Sequence, residues 1–88
     1  MLQNEFLIVN KLGLHARASA LLVKTSSRFI SDVRLARENV EVNGKSIMGI
    51  MMLAASKGTS VRLTVEGADE TEAFQSIGEL IANGFGEE

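Results

Sequence analysis

Between Ser60 and Glu66 the chain alternates without a break, Val61, Leu63 and Val65 being separated by Arg62 and Thr64. Successive side chains of an extended strand point to opposite faces, so this segment has one apolar face to bury and one polar face to leave in water. A sheet built around it fits a layered α+β structure, with one face buried and the other largely facing water. The same pattern recurs upstream. Val33 and Leu35 alternate with Asp32, Arg34 and Ala36, then Val40 and Val42 flank Glu41, which predicts a hairpin turning through Arg37-Glu38-Asn39. Phe6-Leu7-Ile8-Val9 predicts a further short, buried strand, ended by the loop Asn10-Lys11-Leu12-Gly13.

The cover must come from helices, and three segments supply the periodicity. From His15 onward Ala18, Leu21, Leu22, Thr25 and Phe29 gather on one side of a helix, with Arg17, Ala20, Lys24 and Arg28 on a neighbouring, basic side. Ser46 is a good N-cap for the apolar run Ile47 to Ala55, predicting a short helix that begins just after it and ends by Lys57-Gly58. Asp69 and Glu72 have the spacing of a capping box ahead of Ala73, Phe74, Ile77, Leu80 and Ile81, a helix expected to end near Asn83-Gly84. The order is βαββαβα: an α+β fold in which a four-stranded sheet is covered on one face by three helices, one domain over residues 1–88.

Composition narrows the function. The net charge of −2 and a total of four aromatic residues, all Phe, argue against nucleic-acid binding. The absence of cysteine excludes disulfides and thiolate chemistry, and a single histidine excludes a multi-histidine metal site. Met1 to Glu5 has no basic, apolar leader pattern, and no run approaches the ~20 apolar residues that cross a bilayer, so a cytoplasmic protein without membrane insertion is expected. At 88 residues there is little room for a deep internal pocket.

His15 is therefore the one imidazole available for chemistry. It stands between Gly13 and a helix whose first turn carries Arg17, where unpaired backbone N–H groups and the helix dipole favour an anion such as a phosphate. A neutral ring nitrogen could attack phosphorus, and the guanidinium of Arg17 could steady the transferred group. An exposed capping histidine beside a solvated arginine fits these two residues equally well. Ser46 has a sufficient role as an N-cap, while a phosphate there would suit the helix end and set charge beside Ile47, Met48 and Met51. Gly44-Lys45-Ser46 lacks the earlier glycine of a phosphate-binding loop, Asn39 standing in its place, and residue 48 is Met, which breaks a nucleophile elbow. A hydrolase with His15 as base is disfavoured because the sequence places no nucleophile, acidic orienting residue or pocket beside it.

Gly13-Leu14-His15-Ala16-Arg17-Ala18-Ser19-Ala20 resembles the active-site signature of the HPr family of histidine-containing phosphocarriers, and Lys45-Ser46-Ile47-Met48-Gly49 resembles that family's serine-centred signature. The resemblance covers essentially the whole chain. It implies an open-faced β-sandwich with an antiparallel sheet, and a phosphoryl group accepted on Nδ1 of His15 from phosphorylated Enzyme I and passed to EIIA-type domains. Arg17 would be the phosphate partner, and Ala16, Ala20, Lys24, Ile47, Met48 and Met51 the partner-binding surface. Ser46 would be a regulatory site for an HPr kinase/phosphorylase. A relay of this kind is not an enzyme acting on a small molecule, needs no cofactor or metal, and suits a monomer. Ala18 departs from the pattern, since many members have proline there; alanine is a good helix former and activity is expected to survive. Two alternatives stay open: a nitrogen-branch carrier using the same histidine with different partners, and a regulatory domain that binds an anionic metabolite through His15 and Arg17.

Overall fold

The structure is a computed structural model that describes residues 1–87. Its elements run β1 (Leu2–Leu7), α1 (Ala16–Ser26), β2 (Asp32–Arg37), β3 (Val40–Asn43), α2 (Ile47–Met52), β4 (Ser60–Glu66) and α3 (Glu70–Ala82), followed by a single tight helical turn at Gly84–Gly86. The strands form one antiparallel sheet in the order β1-β4-β2-β3. The expected α+β, open-faced sandwich is what forms. The strictly alternating segment is central: β4 buries Val61, Leu63 and Val65, and pairs with β1 on one side and β2 on the other.

The covered face is a single apolar cluster. Val33, Leu35, Val61, Leu63 and Val65 from the sheet meet Ala18, Leu22, Ile50, Ala73, Ile77 and Ile81 from the helices. Removing this surface from water is the main favourable contribution to folding. Helix α3 lies on β1 and β4, while α1 packs beside α2 and α3. Two serines sit inside the α1 contact and are hydrogen-bonded there, as buried hydroxyls must be. Ser19 Oγ donates to Leu14 O at 3.2 Å, and Ser26 Oγ donates to Gly44 O at 2.7 Å. Leu21, Thr25 and Phe29, expected on the packed side, are only half-buried, Phe29 lying beyond the end of the helix.

Two other expectations are corrected. The first strand is not Phe6 to Val9 but Leu2–Leu7, because β4 dictates its extent: Leu2 pairs with Val65 and Leu7 with Ser60. Gln3, Asn4 and Glu5 hide the strand from a hydrophobicity pattern, and within the apolar run only Phe6 and Ile8 turn inward, while Leu7 and Val9 are exposed. Asp69 precedes α3 but makes no capping hydrogen bond to it. Its carboxylate instead crosses to the loop after α1, accepting from Ile30 N and Ser31 N at 3.0 Å each and from the Ser31 hydroxyl. Those bonds, chiefly the one from Ser31, hold its carboxyl below the usual carboxylate range. Glu70, not Glu72, reaches back at this helix start, accepting from Gly67 N at 3.0 Å.

Candidate functional site

The loop from Ile8 to His15 is pinned before α1 begins. Gly13 adopts φ +65°, and a Cβ there would collide with the Ala55 carbonyl oxygen and come within 2.8 Å of Ser56 Cα. Only glycine allows this approach, which lets Leu14 N donate to Ala55 O at 2.9 Å. With the loop closed against the segment after α2, His15 becomes the N-cap of α1. Its backbone is extended, its carbonyl accepts from Ser19 N at 2.9 Å, and its Nδ1 accepts from Arg17 N at 3.3 Å. The helix-start position read from the sequence is thus observed, with the ring itself acting as the capping acceptor in place of the usual Ser, Thr or Asp side chain.

The other ring nitrogen meets a group that the sequence reading did not supply. Glu87 Oε2 lies 2.6 Å from His15 Nε2, and both side chains are mostly shielded from water. Glu87 Oε1 accepts from Asn10 Nδ2 at 3.2 Å, and the same Asn10 amide donates to Gly13 O at 2.8 Å. Hydrogen bonds from His15 and then Asn10 hold the Glu87 carboxyl below the usual carboxylate range, against the opposing effect of desolvation. The sequence places no acidic residue beside the histidine; the fold supplies one. Seventy-two residues separate the pair, and no periodicity reaches that far. The local signal was Gly84-Phe85-Gly86: Phe85 is buried at φ +59°, between glycines that are also at positive φ, and this anchor turns the tail back toward α1.

Ala16, Arg17, Ala20 and Lys24 are all exposed on α1, as the basic-face reading requires. Ser46 caps α2, its hydroxyl accepting from Gly49 N at 3.0 Å. Ile50 is the buried residue of that helix, while Ile47, Met48, Met51 and Met52 are exposed, Met48 at 75%. Because α1 packs against α2, the two predicted sets lie on neighbouring elements. An open apolar groove of about 370 Å³ lined by Phe6, Phe74, Gly78 and neighbouring residues includes neither His15 nor Ser46. Among the described residues no group of three or more His, Cys, Asp or Glu could hold a metal ion, and no helix is long and apolar enough to cross a membrane.

The half-buried His15 thus presents one ring nitrogen to the backbone amides at a helix start and the other to a carboxylate. Residues 2–83 match the family described as PTS HPr component phosphorylation site. The chain is 52% identical over 88 residues to phosphocarrier protein HPr of Xylella fastidiosa, covering all of this chain and 99% of the relative. Its fold superposes on crystalline HPr-C-His from Thermoanaerobacter tengcongensis with a TM-score of 0.96 at 49% identity, covering 100% of this chain and 99% of that one. An HPr dimer from the same organism aligns with a TM-score of 0.79 at 48% identity, over 99% of this chain and 100% of the other. The chain belongs to the HPr family of phosphocarrier proteins of the phosphotransferase system.

Proposed function

We propose that His15 accepts a phosphoryl group on Nδ1 from phosphorylated Enzyme I and hands it to an EIIA-type domain in the cytoplasm, all within one domain spanning residues 1–88. The observation that carries this reading is the Nδ1 lone pair facing Arg17 N–H at the start of α1. The first backbone amides of a helix have no internal acceptor, so those of Ala16, Arg17 and Ala18 can turn to phosphoryl oxygens once Nδ1 is bonded to phosphorus. The exposed Arg17 guanidinium adds charge-assisted contacts that hold the group without trapping it, and transfer remains possible in both directions.

Partners dock on the exposed residues of α1 and α2, Ala16, Ala20, Lys24, Ile47, Met48 and Met51. Thioether side chains adapt their shape, which suits a surface that must fit donor and acceptor in turn. Phosphorylation of Ser46 by an HPr kinase/phosphorylase would leave the α2 cap in place and set about two negative charges against this apolar contact, blocking docking without unfolding. Transient exchange between partners favours the monomer as the working form, which light scattering at micromolar concentration tests. Intact mass after incubation with Enzyme I, magnesium and phosphoenolpyruvate should show one acid-labile phosphoryl group, absent from His15→Ala. An unmodified wild-type mass, with Enzyme I active on another carrier, would remove the proposal. Transfer from phosphorylated His15 to sugar-specific rather than nitrogen-branch EIIA domains identifies the pathway.

A further inference from the structure

We propose that Glu87, held by Asn10, is a positioning residue that selects Nδ1 of His15 as the nitrogen to be phosphorylated; this deepens the phosphocarrier reading and rests on it. An imidazole offers two nitrogens, and either can be the nucleophile depending on which one carries the proton. An ionised carboxylate can only accept, so Glu87 Oε2 at 2.6 Å places the proton on Nε2 and leaves the lone pair on Nδ1, where Arg17 N–H meets it. A phosphoryl group on Nε2 would in addition be driven against the carboxylate, whereas on Nδ1 it lies among helix-start amides.

The carboxylate is itself fixed. Asn10 is 3% exposed, and its amide donates to both Gly13 O and Glu87 Oε1, while its Oδ1 is buried with no partner among the described residues. A buried acceptor left unpaired is a cost that a purely structural asparagine would avoid by turning or by replacement. The orientation is explained if both donors are needed, one to shape the loop at Gly13 and one to aim Glu87. The buried Phe85, two residues before Glu87, supplies the tail's anchor from the other side.

The chemical step follows from this geometry. The Nδ1 lone pair forms a bond to phosphorus as the bond from phosphorus to the donor's leaving nitrogen breaks and takes its electrons with it. The ring keeps its Nε2 proton and becomes positively charged, and Glu87 faces that charge. In onward transfer the acceptor nitrogen attacks phosphorus and the N–P electrons return to Nδ1.

The test uses full-length protein labelled with ¹⁵N in the histidine ring, where a single residue gives one pair of signals. Long-range ¹H–¹⁵N spectra of the neutral, unphosphorylated ring should show Nε2–H as the dominant tautomer. Glu87→Ala should lower the ratio of Nε2–H to Nδ1–H by at least about fivefold, the scale of one lost charge-assisted hydrogen bond discounted for partial exposure. Asn10→Ala should move it in the same direction by less. With potassium phosphoramidate as a small donor, which releases ammonia and requires no docking partner, wild type should give the Nδ1 isomer alone and Glu87→Ala a mixture. Tautomer and isomer ratios unchanged in folded Glu87→Ala would overturn the positioning role, however Enzyme I behaves. A wild-type His15 that Enzyme I does not phosphorylate overturns the carrier reading instead, and the tautomer measurement still decides whether Glu87 positions the ring.

Discussion

Replacing Gly13 by alanine tests whether the loop that delivers His15 depends on a close backbone approach or merely on a left-handed turn. Gly58 provides the control, since its φ is +90° and, among the described residues, no heavy atom lies within 4 Å of where its Cβ would be, whereas at Gly13 the φ is +65° and the added carbon meets Ala55 O and Ser56 Cα. Both substitutions place alanine in the left-handed region at about 1–2 kcal/mol, partly offset because alanine restricts the unfolded chain by about 0.4–1 kcal/mol. Gly58→Ala should therefore cost about 1 kcal/mol. Gly13→Ala must also push back backbone, for about 1–3 kcal/mol, and stretch the bond from Leu14 N to Ala55 O, worth about 1 kcal/mol. The total is about 3–5 kcal/mol. For a domain of this size each kcal/mol shifts Tm by about 4–8 °C, so the two variants should melt at clearly different temperatures. Urea titrations at neutral pH give the free energies directly. If the variants agree within about 0.5 kcal/mol, the close approach is not what requires glycine at position 13, and the account of how His15 is placed at the helix start fails.

Other expectations follow from single contacts. Ser46→Ala removes the acceptor for Gly49 N and should destabilise by about 1 kcal/mol, whereas Ser46→Asp keeps a cap oxygen and should be near neutral, while slowing phosphoryl transfer from Enzyme I if added charge beside α2 blocks docking. Ile50→Ala empties a fully buried position between α2 and the sheet and should cost about 2–5 kcal/mol in the same titration. The carboxyl of Asp69 is held below its ordinary value near 3.8, so its stabilising contribution is complete above that pH and is lost as pH falls through the lower folded value. Asp69→Asn should flatten the acid limb of a plot of unfolding midpoint against pH; an unchanged limb would show that the bonds to Ile30 and Ser31 do not carry it.

Much of the fold is legible without coordinates because it rests on local periodicity. The alternation of Val61, Leu63 and Val65 survives as the central strand, and the ladder around it agrees with the hairpin read between Asp32 and Asn43. Ser46 as a cap and the stop near Asn83-Gly84 also appear, since capping depends on neighbours within one turn. The failures have a common form. The residues Leu2 to Glu5 join a strand only because β4 offers a partner, and Asp69 leaves the helix it precedes because three donors across the chain compete better than the nearby amides.

The site divides along the same line. Sequence by itself determined that any imidazole chemistry must use His15, because no other histidine exists, and that it stands at the start of a helix beside Arg17, because glycine, cap and periodicity are all local. Only the tertiary structure decided what faces the second ring nitrogen. Glu87 reaches Nε2 because Phe85 is drawn into the core and carries the tail across the fold, and Asn10 holds it there from the opposite end of the chain. Burial of an apolar side chain has no direction along the sequence, so the polar partner it delivers cannot be read from spacing.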